Sequence, residues 1–137
     1  MVKDIIKGEH IFLKAEDMTA MDMNVITDLE DTFKANRKDC VGLAANMIGY
    51  NKRAIILEDQ EERKTIVMIN PVITKAEFPY NVAEGCLSLD EMHPVKRYRR
   101  IKVEYYDKNF KLKKKSFSGF TAEVIQHEID HTNGIII

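Results

Sequence analysis

The chain has only two cysteines, and Met1-Val2-Lys3-Asp4-Ile5-Ile6-Lys7 contains no signal-peptide core. Those scarcities argue against a disulfide framework and predict a cytoplasmic protein whose thiols are ligands or buried groups. No apolar run approaches the roughly 20 residues of a membrane span, so no membrane partner is expected. A formal net charge of −1 removes the polycationic signature of a DNA-binding protein. Repeats, low-complexity tracts and Pro/Gly-rich linkers are also missing. What is present is 137 residues, 45% hydrophobic and 31% charged, which is the composition of one globular domain over residues 1–137.

Met18, Met21, Val25, Leu29 and Phe33 recur at helical spacing, with Asp22, Asp28, Glu30 and Lys34 between them. The pattern predicts an amphipathic helix over residues 19–37 whose methionines fill core. Small residues then crowd Cys40-Val41-Gly42-Leu43-Ala44-Ala45-Asn46-Met47-Ile48-Gly49, which permits a close backbone approach. Ala54-Ile55-Ile56-Leu57 and Thr65-Ile66-Val67-Met68-Ile69 read as strands joined by a charged turn. Asn70-Pro71 breaks the second run, Val72-Ile73-Thr74 resumes it, and a loop is expected around Pro79. Ile101, Val103 and Tyr105 alternate with Lys102 and Glu104 as a half-buried strand does. Asp107-Lys108-Asn109 is the turn into a return strand over residues 112–117. Ser118 is placed to cap a last helix, and Gly134 to end it. Strands in sequence with helices at the ends predict an α+β fold, with mostly antiparallel sheets around a C-terminal helix and a further helix near the N-terminus.

That last helix carries the chemistry. His127 and His131 are four apart in Gln126-His127-Glu128-Ile129-Asp130-His131, so both imidazoles stack on one face and reach one metal ion. Glu128 lies one residue past the first histidine, where its carboxylate reaches water at the metal without being a ligand. Two histidines need a third partner, and the candidates are Cys40, Cys86, His10, His93 or a carboxylate. Cys86 suits best, because Gly85 beside it allows close approach and a thiolate suits zinc or ferrous iron. Periodicity alone only favours it over Cys40, which reads as a small buried residue. His10 and His93 read as surface or loop positions.

Three stretches, in order, resemble the signature motifs of the peptide deformylases. They are Gly42-Leu43-Ala44-Ala45, Glu84-Gly85-Cys86-Leu87-Ser88, and Gln126-His127-Glu128-Ile129-Asp130-His131 with Gly134. His93-Pro94-Val95-Lys96-Arg97-Tyr98 is similar to the family's downstream region, and the likeness runs from roughly residue 29 to the C-terminus. The resemblance implies a metal-dependent hydrolase that removes the formyl group from formyl-methionine at the start of nascent peptides. Cys86, His127 and His131 would hold one divalent metal, usually Fe2+ in this family, with Zn2+, Ni2+ or Co2+ as alternatives and water as the fourth ligand. Glu128 would move the proton, and the Leu87 N–H would face the developing oxyanion. Gly42, Leu43, Met47 and Arg97 fall in the substrate and oxyanion region. Glu84 would be structural, and Gln126 and Asp130 would orient their neighbours.

One motif departs from the family. Gly is usual at the place of Cys40, and Gln at the place of Met47. The Gln donates a hydrogen bond to the oxyanion, whereas a thioether has no donor. This keeps a second reading in view: a deformylase-like protein of weak or no activity that binds peptide N-termini or acts on another acyl group. Glu128 favours the enzyme, since only a reaction uses a carboxylate aimed at water. A zinc endopeptidase shares the His-Glu-x-x-His element, but the Cys86 motif and the short chain weigh against it. The basic runs of Lys96, Arg97, Arg99, Arg100 and Lys102, and of Lys111, Lys113, Lys114 and Lys115, read first as solvated strand faces and second as a transient ribosome contact.

Overall fold

Val25, Ile26, Leu29 and Phe33 form one buried stripe of helix α1 (Met23–Ala35). The computed structural model describes residues 1–135 and 137. The helix is shorter than residues 19–37. Thr19 and Asp22 form a capping box around a 3-10 turn, Ala20–Asp22, and Asn36 closes the far end by donating to the Thr32 carbonyl at 2.8 Å. Met18 is buried, but Met21 is 92% exposed. It sits in that tighter turn, whose residues do not continue the 3.6-residue stripe, so the spacing misplaced it.

Five strands follow in one antiparallel sheet, ordered as in the sequence: β1 (Gly42–Ala44), β2 (Ala54–Asp59), β3 (Lys64–Cys86), β4 (Leu89–Tyr106) and β5 (Leu112–Ser118). Helix α2 (Gly119–Thr132) packs across β4, β1 and β2. The fold is α+β, as the element order predicts. Among the described residues no helix is long and apolar enough to cross a membrane.

The expected break at Asn70-Pro71 is a bulge inside β3, where the register shifts between Ile69 and Val72 and Asn70 takes φ 52°. Asn70 compensates through its side chain, which accepts from the Met18 N–H at 2.7 Å and donates to the Met18 carbonyl at 3.1 Å. The expected loop around Pro79 is absent: Pro79 pairs with Tyr98 in mid-strand. β2 pairs with β3 only as far as Ile69, so beyond that point β3 is an edge and tolerates a residue without an N–H. β3 therefore runs unbroken from the core to Cys86.

At the other side of the site, Ser118 occupies the N-cap of α2 in extended conformation, although its hydroxyl makes no capping bond. The C-terminus ends as the glycine predicts. Gly134 takes φ 78° and donates to the His131 carbonyl at 3.1 Å, and Ile135 donates to that of Asp130 at 2.9 Å. A Cβ on Gly134 would also lie 2.9 Å from the Lys14 nitrogen, so glycine is required for two reasons.

Candidate metal centre and cleft

β3 delivers Cys86, and α2 delivers His127 and His131. One ligand atom from each lies within 4.8 Å of the others. Three candidate ligands of sulfur and nitrogen type, beside an open cleft, match the donor set of a catalytic site rather than a filled structural one. Glu84 engages Nδ1 of His127 at 2.8 Å, which leaves the other ring nitrogen to face the cluster. These donors fit a divalent transition metal. His10 lies in a short turn, Glu9–Ile11, and His93 pairs with Glu84 on the neighbouring strand, so neither joins the cluster. Cys40 is half-buried rather than buried; its thiol lies 3.4 Å from the Asn36 carbonyl, outside the cluster.

The electrostatics explain how such a polar cluster survives burial. Burial alone would raise Glu84, but hydrogen bonds from His127 and Arg97 outweigh it and hold the carboxyl down to about 2. Burial likewise opposes a Cys86 thiolate, yet both histidines bring the thiol down to about 7. Burial would lower the histidines; contacts with Cys86 and with Glu84 or Glu128 raise His127 to about 10 and His131 to about 9. Cys40 goes the other way: burial, then the nearby Glu128 charge, pushes its thiol up to about 11. The two cysteines therefore differ in kind, one a ready thiolate and the other inert.

Arg97 lies behind the ligands and not on the cleft wall, contrary to the sequence expectation. It is 3% exposed and clamps two carboxylates, Glu84 at 2.7 Å and Asp130 at 2.6 Å. A planar guanidinium matches this bridging task, tying β3 to α2 through β4. Leu43 is wholly buried in the core, so it supports the wall without forming it. Gln126 docks the helix: its amide donates to the Tyr98 carbonyl at 2.8 Å and accepts from the Tyr98 N–H at 2.8 Å. It holds β4 rather than a neighbouring ligand.

The cleft, of about 580 Å³, is lined by Gly42, Met47, Cys86, Leu87, His127 and Glu128 among others. Gly42 is there for space. A Cβ on it would meet Val124 at 2.8 Å and the Glu128 carboxylate at 3.1 Å. Glu128 also contacts Nδ1 of His131 at 3.2 Å, which holds its carboxylate beside the candidate ligands without placing it among them. Asn46, the donor next to Met47, points away from the cleft and gives its amide to the His131 carbonyl. Met47 therefore has no substitute from its neighbour. Glu123 went unnoticed in the sequence, although it stands four residues before His127 on the same helical face. It lines the cleft and accepts from the Tyr80 hydroxyl at 3.1 Å, with the Arg99 guanidinium 4.5 Å above the Tyr80 ring.

Comparison with known proteins agrees with this geometry. The polypeptide deformylase family model matches residues 3–137. A peptide deformylase of Clostridium beijerinckii is 52% identical over 139 residues, covering 100% of both chains. One from Brachyspira hyodysenteriae is 36% identical, covering 96% of this chain and 75% of its own. A solved peptide deformylase from Legionella pneumophila gives a TM-score of 0.86 at 30% identity, over 99% of this chain and 83% of that one. A class I type b peptide deformylase from Acinetobacter baumannii with Met-Ala-Ser bound gives 0.84 at 28% identity, over 99% and 96%. The chain belongs to the polypeptide deformylase family, metal-dependent hydrolases that remove the formyl group from nascent peptides.

Proposed function

We propose that Cys86, His127 and His131 hold one divalent metal, ferrous iron in the cell, and that residues 1–137 act as a single domain on formyl-methionine peptides in the cytoplasm. The observation that carries this is the convergence of the three ligand atoms within 4.8 Å, with the Glu128 carboxylate beside them in the cleft. Zn2+, Ni2+ and Co2+ suit the same donors. A divalent ion there supplies Lewis acidity and makes water acidic enough to attack a carbonyl near neutral pH.

The chain's own residues do the rest. Glu128 accepts the proton that water loses and delivers it to the departing amine as the formyl C–N bond breaks, which leaves formate and a free N-terminus. The Leu87 N–H donates to the carbonyl oxygen as charge develops on it, while Met47 contributes only packing. Glu84, held by Arg97, fixes the ring of His127, and Gly42 admits substrate beside α2. The relative with Met-Ala-Ser bound suggests formyl-Met-Ala-Ser as the test substrate. A passing contact of the basic strand residues Lys96, Arg99 and Lys102 with the ribosome would bring the cleft to emerging chains.

A binding-only protein is not favoured, because relatives matching over the whole chain are peptide deformylases. Formate release from formyl-Met-Ala-Ser by anaerobically prepared ferrous protein tests the reading. Glu128→Ala is expected to bind metal and lose turnover. Equal rates in both proteins would remove Glu128 from the reaction.

A further inference from the structure

The N-terminal segment is hydrogen-bonded to both cleft walls. The Ile6 N–H donates to the Met47 carbonyl at 2.9 Å, and the Gly8 N–H donates to the Ser88 carbonyl at 2.7 Å. Between them, the Lys7 ammonium donates to the Leu87 carbonyl. Three consecutive residues thus grip three backbone oxygens, one on the first wall and two on the second.

The grip matters because of what it holds. Leu87 and Ser88 are the two-residue tip between β3 and β4, closed by the Cys86–Leu89 pair. A hairpin tip is ordinarily among the more mobile parts of a fold. This tip presents the N–H that faces the reacting carbonyl, and a donor must be fixed before the reaction to act on the transition state. In this chain the demand is sharper, since Met47 on the opposite wall offers no donor of its own.

We propose that residues 6–8 are a strap that fixes the Leu87 amide, with Lys7 as the positioning residue. Its charged hydrogen bond is the one side-chain member of the strap, so it can be removed without altering the backbone. The strap explains how the second wall stays aimed when, among the described residues, its own hairpin supplies the Cys86–Leu89 closure and one weak bond from the Ser88 N–H to the Cys86 sulfur at 3.4 Å. This inference rests on the deformylase reading for the meaning of the Leu87 amide.

The experiment compares wild type, Lys7→Met and Lys7→Arg, all metal-loaded, by amide hydrogen exchange and by kinetics on formyl-Met-Ala-Ser. Lys7→Met is expected to exchange faster at Leu87 and Ser88 while β2 and α2 amides keep their rates. Its kcat falls about tenfold with KM little changed, as misplacement of a positioned group predicts. Lys7→Arg, which keeps a charged donor, restores most of both. Unchanged exchange at Leu87 and Ser88 in Lys7→Met overturns the strap. So does faster exchange spread evenly through β2 and α2, which would mark a general loss of stability. If wild type itself releases no formate, the deformylase reading fails separately, and the exchange result still decides whether Lys7 fixes the tip.

Discussion

Asn46 donates its side-chain amide to the main-chain carbonyl of His131 at 2.7 Å, in a contact that is fully buried. The same oxygen accepts from the Gly134 N–H at 3.1 Å. The first motif and the last turn of α2 are therefore joined at the backbone of a candidate ligand.

Asn46→Ala is expected to lower stability by about 1–2 kcal/mol, the cost of a lost buried hydrogen bond whose acceptor keeps one partner. If the bond also sets His131, the loss is larger in metal-loaded protein than in metal-free protein. Denaturant midpoints of the two forms measure this, and equal losses would assign the bond to the fold alone.

Met47→Gln restores a donor where the wall has none. The side chain is buried at 2% exposure and close in size to Gln. Loss of one such donor costs roughly 10²–10³ in turnover elsewhere, so kcat is expected to rise at least about tenfold, with KM little altered. An unchanged kcat would mean that the Leu87 amide and the metal already do all the stabilising at the oxyanion.

Glu84 makes folding sensitive to acid. Its carboxyl is held down from 4.5 to about 2, so its contribution is complete above roughly 4.5 and disappears as pH falls toward 2. Wild type is expected to lose stability across that window, and Glu84→Gln, weaker at neutral pH, to lose less. Parallel curves for the two proteins would show that another carboxylate governs acid unfolding.

Stripping the metal exposes the contrast between the cysteines. With Cys86 near 7 and Cys40 near 11, iodoacetamide at pH 8 is expected to label Cys86 and spare Cys40. Peptide mapping by mass spectrometry reads the site, and added divalent metal should suppress the label. Equal labelling would refute the difference.

The candidate histidine pair and the last helix were legible because their signal is local, whereas Cys86 was only favoured over Cys40 until the family resemblance of its motif singled it out. The i, i+4 histidines, the glutamate between them and the closing Gly134 all lie within one short stretch. The strand around Ile101, Val103 and Tyr105 was equally plain from its alternation. What escaped depends on partners far away in sequence. Arg97 looked like a cleft residue until Glu84 and Asp130 closed on it from two other elements. Pro79 looked like a loop because nothing local reveals that β2 ends before reaching it. Met21 fitted the stripe of α1, and only the 3-10 turn started by Thr19 removes it.

The 23 residues of β3 place one more condition on the chain. Side chains alternate along a strand, so the direction of the Cys86 thiol depends on the parity of the count between it and the core residues Ile66–Ile69. Bulges at Ile69/Val72, Ile73/Lys75 and Glu84/Cys86 already reset that count. A single inserted or deleted residue in the arm would turn the sulfur toward the opposite face, away from both imidazoles, unless a further bulge absorbed it. Two would restore its facing but carry it about 6.6 Å along the strand, beyond the 4.8 Å within which the three ligand atoms lie. The length of β3 from the core to Cys86 is thus fixed twice over, by the facing of the thiol and by its reach to α2, and β3 can change only together with its partner β4.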